Sequence, residues 1–184
     1  MVINNKNLTD VFFQNLPDFF SNFQGRIIAS HDIKQFDFTN LNVAIIGANQ
    51  LTVTHLQQIL EHAKFIKVFQ ISPVFILPQH EKGIQKLISH PLIIKNRRLF
   101  NHRIKSMLAI RYLESQVQEQ WLRRQLMPNS ASKNKVFFKS DHYYTALQRD
   151  NCKLITWPIV KITENAIQSM EGIEHLVDVI ITTY

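Results

Sequence analysis

An α/β fold built on a parallel sheet is what this sequence predicts, and three observations carry the prediction. A β-branched run from Leu41 to Ile46 ends at a glycine, an amphipathic stretch follows from Gln50 to Ala63, and a second β-branched and aromatic run begins at Phe65. Two strands joined through a helix in this way run parallel, with a right-handed crossover. The chain has 184 residues with 45% apolar content, which suits one sizeable core better than two independent domains.

Taken in order, residues 1–24 are rich in Asn, Phe and Asp and carry the helix breaker Pro17, which reads as an arm lying over a neighbouring surface. Phe12, Phe13, Phe19, Phe20 and Phe23 all require burial. In the 50–63 stretch, Leu51, His55, Leu56, Ile59, Leu60 and Ala63 recur on one side of a helix, and Phe65–Gln70 closes the βαβ unit. From about residue 80 to 127 the pattern is helical and interrupted at Pro91. Leu108, Tyr112, Val117 and Trp121 offer an apolar face there and basic residues the other, as in a mostly exposed helical insertion. The last third predicts additional β-strands at Val136–Phe138, Cys152–Thr156, Ile159–Ile162 and Val177–Thr182, with a short helix over Asp141–Leu147. The expected organisation is an arm or linker over residues 1–40 and an α/β domain over 41–184.

The net charge of +7 favours anionic partners, such as phosphate-bearing cofactors, nucleic acid or acidic protein surfaces. Most of the excess sits between Lys95 and Arg124. The core of that segment, Lys95–Lys105, interleaves basic and aromatic residues but matches no nucleic-acid motif, so nucleic acid is the weaker expectation and a solvated or interdomain helix face the stronger. Cys152 stands alone, so no intrachain disulfide can form. The opening residues show no targeting pattern, and no apolar run is long enough for a membrane helix, so the expected location is the cytoplasm and the expected partners include no membrane. His55 and His62 share a helix face without a carboxylate or cysteine to complete a metal set, so no metal is expected. Asp141 and His142, adjacent on a short helix, point apart and receive no catalytic role.

The turn after the first strand, Gly47-Ala48-Asn49-Gln50-Leu51-Thr52, stands where a Rossmann-like dinucleotide-binding domain carries GxGxxG. Gly47 serves the tight turn. Asn49 replaces the glycine that lets backbone approach a pyrophosphate, and Thr52 replaces the one that lets helix and strand pack closely. A Cβ at Asn49 pushes the phosphate away from the helix N-terminus, whose amides and dipole make the anion site. Gly47, Ala48, Asn49, Gln50 and Thr52 are therefore candidate cofactor contacts of weakened affinity.

Five blocks in order resemble the class B flavin-dependent monooxygenases, the family of the flavin-containing and Baeyer–Villiger monooxygenases. Phe23, Gly25 and Ser30 look like the family's FxGxxxHS motif, and Asp37 like the acidic residue before its second nucleotide-binding strand. Val68–Pro78 resembles VFQRSPxxxxP. Lys135–Leu147, Asn151–Thr163 and the terminal HLVDVIITTY resemble CKRxxxSxxYYxAL, NVxLVxxPIxxIT and ADVIVxATGY. The resemblance implies the family's central NADP-binding domain, with Gln70 and Ser72 as further cofactor-side residues. It also implies NADP(H) and FAD as the family's cofactors, with the flavin site missing from this chain.

Four departures weaken the match. Ala29 stands at the motif histidine, with His31 two places on; Ile71 stands where the family has a basic residue facing the NADP 2′-phosphate; Val136 replaces an arginine; and no glycine separates Thr183 from Tyr184. The expectation is a partial or degenerate flavin monooxygenase that is not catalytic alone and whose partner is a separate flavin-binding chain or a second copy. The alternative is a non-catalytic Rossmann-like binding or interaction module.

Overall fold

The computed structural model describes residues 19–80 and 102–183. Phe12, Phe13, Pro17, Pro91, residues 95–101 of the basic segment and Tyr184 lie outside the described residues.

Five strands form the main sheet, and every pairing in it is parallel: β1 (Arg26–Ala29), β2 (Asn42–Ile46), β3 (Phe65–Phe69), β6 (Cys152–Ile155) and β10 (Val179–Thr182), in the order β1-β10-β2-β3-β6. The unbroken apolar runs of β2 and β10 follow from burial on both sheet faces. Val43, Ile45, Ile66, Val68, Val179 and Ile181 enter one core, while Ala44, Ile46, Phe69, Ile155 and Ile180 enter the other. Each such aliphatic side chain removed from water contributes roughly 1.5–3 kcal/mol.

The first core is covered by helix α1 (Gln50–His62), whose Val53, Leu56, Ile59 and Leu60 are buried at helical spacing. Leu51, expected on that face, is 38% exposed. The short helix α4 (Tyr143–Leu147) packs beside α1 and contributes Tyr143, Tyr144, Ala146 and Leu147. The second core is covered by a three-stranded antiparallel sheet of β7 (Ile159–Ile162), β8 (Ala166–Ser169) and β9 (Glu174–Leu176). Strands β4 (Phe75–Leu77) and β5 (Phe137–Lys139) form a separate parallel pair.

The helical region packs more deeply than its sequence suggests. In α2 (His102–Gln116), Leu108 and Ala109 join Phe75 and Leu77 in a third cluster, and Tyr112 and Leu113, with Val117 just past the helix end, enter the first core. Seven side chains of its described part are buried, Ser106, Leu108, Ala109, Tyr112, Leu113, Val117 and Leu126, while the rest of this segment is exposed or half-exposed as expected. Trp121 in α3 (Gln120–Gln125), expected on the apolar face, is instead 65% exposed. The helix breaks before it: Glu119 accepts hydrogen bonds from the Trp121 and Leu122 amides and caps a new helix, so the spacing that carries Leu108, Tyr112 and Val117 inward does not extend to Trp121. No helix among the described residues is long and apolar enough to cross a membrane.

Within the stretch read as an arm, Arg26–Ala29 pairs with β10 as the edge strand of the sheet, and Phe23 is buried in the second core. Gly25 lies against β10 so closely that an added Cβ would collide with the Asp178 carbonyl oxygen and the Phe23 ring. Asp178 in turn accepts both the backbone and the side-chain N–H of Asn42.

Candidate functional site

In an open parallel sheet the ligand crevice lies beyond the carboxyl ends of the strands, where the chain order reverses direction. Here that point falls between β2 and β10, since β3 follows on one side of β2 and β10 lies on the other. Five of the expected cofactor residues, Gly47, Ala48, Asn49, Gln50 and Thr52, are brought together there at the β2–α1 turn. Gln70 and Ser72 leave the end of the neighbouring strand β3.

Gly47 adopts φ 87°, the left-handed region that a side chain disfavours, and its N–H donates to the Phe69 carbonyl at 2.9 Å. Ala48 is half-buried against the first core. Asn49 is the N-cap of α1. Its Oδ1 accepts the Thr52 N–H at 3.0 Å, while Thr52 Oγ1 accepts the Asn49 N–H at 3.0 Å, a reciprocal capping box. The Asn49 amide nitrogen also donates to Ser30 Oγ at 2.8 Å and to the Thr183 carbonyl at 3.4 Å, and Thr183 Oγ1 donates to the Ile46 carbonyl at 3.1 Å. One side chain therefore bridges the exits of β1 and β10 and the start of α1. The amides of Gly47, Asn49 and Thr52, which a bound pyrophosphate would approach, already have partners within the protein.

Gln50 is engaged as well: its Nε2 donates to the Lys139 carbonyl at 2.8 Å and its Oε1 accepts the Lys139 N–H at 3.0 Å, clasping α1 to β5. Gln70 is buried, with its Oε1 accepting the Tyr143 hydroxyl at 2.5 Å and its Nε2 donating to the Ser72 carbonyl at 3.3 Å. Ile71 and Ser72 are exposed, and Ile71 brings no charge to the position. Ser30 and Thr183 were visible only as members of longer motifs. Nothing local in the sequence announces that both meet Asn49.

Three tyrosines, Cys152 and Asp141 near the crevice are shifted away from neutral pH. Burial pushes Tyr112 up to about 12, with Asp141 adding to the effect, and burial raises Tyr143 and Tyr144 above the ordinary phenol range. Burial pushes the Cys152 thiol up to about 12 against the opposing pull of Arg149. Burial also raises Asp141, but hydrogen bonds from the His80 side chain and the Gln79 and His80 amides outweigh it and hold this carboxyl below its usual value. Among the described residues, no group of three or more His, Cys, Asp or Glu could hold a metal ion.

The parallel main sheet, the βαβ unit and the glycine turn at the switch point define an α/β domain of the dinucleotide-binding type. No family model matches the chain. Among curated proteins it is 28% identical over 190 aligned positions to a Baeyer–Villiger monooxygenase of Pseudomonas aeruginosa, covering 89% of this chain and 36% of that protein. It is 27% identical over 159 positions to an FAD-binding monooxygenase of Aspergillus niger, covering 73% of this chain and 26% of that protein. Among solved structures it is similar in fold to oxidized steroid monooxygenase bound to NADP, with TM-score 0.71, 19% identity and 90% of this chain against 43% of the other covered. The open form of cyclohexanone monooxygenase gives TM-score 0.69 and 13% identity over 89% of this chain and 43% of the other. The chain is a partial relative of the Baeyer–Villiger-type flavin-dependent monooxygenases, and it spans about a third or less of the length of the curated relatives it matches.

Proposed function

We propose that this chain is a dinucleotide-domain scaffold of the NADPH- and FAD-dependent monooxygenase type that has kept the fold and weakened the cofactor grip, so that by itself it does not catalyse oxygen transfer. The observation that carries this reading is the Asn49–Thr52 capping box, tied to Ser30 and Thr183 across the crevice. A pyrophosphate that takes the Asn49 or Thr52 amide at the α1 N-terminus must displace those bonds. The residues present do not fit NADP(H) as a glycine-lined turn would.

Ile71 supports the same reading. A charge-assisted contact to a 2′-phosphate contributes about 1.5–3 kcal/mol, so its absence weakens binding roughly ten- to a hundredfold. The resemblance supports FAD as the redox cofactor of the whole architecture. We place the flavin beyond the described residues, on further sequence of the same protein or on a separate flavin-binding chain. Peroxyflavin chemistry belongs to that cofactor, and none of the groups described above replaces it.

Thermal-shift titration with NADPH, NADP and FAD tests the proposal. A ligand at about one hundred times its Kd adds about 2.7 kcal/mol of apparent stability and moves Tm by several degrees. The expected result is no resolved shift with any of the three at ~1 mM, well above the levels at which NADPH-using enzymes normally saturate. A saturable shift with NADPH at micromolar concentration would overturn it.

A further inference from the structure

The cover of the second core carries a feature that the crevice does not use. His175, in the middle of β9, is 4% exposed. Its ring lies edge-on to Phe69 of β3, centroids 5.5 Å apart, and its Nε2 lies 3.3 Å from Ser169 Oγ on the paired strand β8. Charged groups lie around it on β3, β6 and the β8–β9 turn, while the paired strand β8 offers Ser169. Lys67 of β3 reaches past it to donate to the Leu176 carbonyl at 2.8 Å; Lys153 of β6 is the register partner of Lys67; and Glu171 lies in the β8–β9 turn, its carboxylate 3.4 Å from Ser169 Oγ. Two cations and one anion thus surround a buried imidazole at the seam between the antiparallel sheet and the main sheet.

We propose that His175 makes the β8–β9 hairpin an acid-sensitive cover, which loosens when the ring takes up a proton and bares the apolar face that Phe69 and Ile155 form on the main sheet. A proton on this ring adds a third positive charge beside Lys67 and Lys153 in a site shielded from water, with Glu171 alone to offset it. Burial first, then the two lysines, holds the imidazole below its ordinary 6.5, with Glu171 opposing. The folded hairpin therefore binds fewer protons than the opened one. Its stability is fully present above about 6.5 and is lost as pH falls below that value toward the lowered one. For one linked proton, the opening constant rises up to about tenfold per pH unit across that window.

Hydrogen–deuterium exchange of the full chain, compared between pH 7.5 and 5.5 after correction for intrinsic exchange chemistry, tests the proposal. The expected result is faster exchange at pH 5.5 over residues 166–177, with residues 43–46 and 66–68 unchanged. His175→Gln, which cannot be protonated in this range, should abolish the difference. Lys153→Gln, at an exposed position, keeps the fold readable if His175→Gln does not fold; removing its charge returns the imidazole toward 6.5 and should narrow the dependence. Equal protection of 166–177 at both pH values, a dependence that survives in folded His175→Gln, or one untouched by Lys153→Gln would overturn it.

Discussion

The loops that leave β2 and β3 at the same edge of the sheet are closed by different means. After β2, closure starts locally: Asn49 and Thr52, three residues apart, satisfy each other's amides at the start of α1, and Asn49 then reaches Ser30 and Thr183. After β3, closure is tertiary: the Gln70 side chain is buried against the hydroxyl of Tyr143, 73 residues away in α4. The contrast teaches that a crevice can be shut by side chains whose stability role is independent of any ligand. The first loop is held by helix capping and the second by packing of a distant helix, so each can be broken separately.

The largest effect should come from Tyr143→Phe. It leaves Gln70 Oε1 buried without its hydroxyl partner, a loss of about 1–3 kcal/mol read by urea denaturation. Exchange protection should fall in α4 with the Thr52 amide at the start of α1 unaffected; a change below the error of the measurement would remove Gln70 from the set of structural anchors. Next comes Asn49→Ala, which deletes the cap and the bridge to Ser30 and Thr183 at a cost of about 0.5–2 kcal/mol. Its signature is faster exchange of the Thr52 amide with α4 unaffected, and equal loss in α4 would mean that the two loops are coupled after all. The smallest effect is expected at exposed Ser72, where Ala should stay within about 0.5 kcal/mol of the parent. A larger change would give that side chain a structural bond that its exposure does not suggest.

Much of the fold was legible because its signals are local. The run 41–46, the glycine after it and the helical spacing through residue 63 sufficed for the βαβ unit, since a parallel strand buried on both faces must be apolar throughout. Strand β1 was not legible: as an edge strand it buries neither Arg26 nor Ile27 and carries no alternation. Strands β8 and β9 escaped because Gln168, Ser169, Glu174 and His175 are polar, the burial of Ser169 and His175 depending on each other across the hairpin. At the candidate site, Asn49 and Thr52 were readable as lost glycines. Asn-x-x-Thr ahead of an apolar run also matches the spacing of a capping box, and that local signal was available. The bridge to Ser30 and Thr183 was not, because it joins residues 19 and 134 positions apart that only the finished sheet brings together.

The strand order also bears on how the molecule is made. β10 occupies the place between β1 and β2, so during synthesis the two strands that flank it emerge long before their shared neighbour. Until residues 179–182 leave the ribosome, β1 has no partner in the sheet, β2 presents an open edge, and the apolar surfaces that Val179, Ile180 and Ile181 will fill stay uncovered. A nascent chain paused short of that strand is therefore a natural client for chaperones, and the last few codons of the sheet decide whether the rest of it sets.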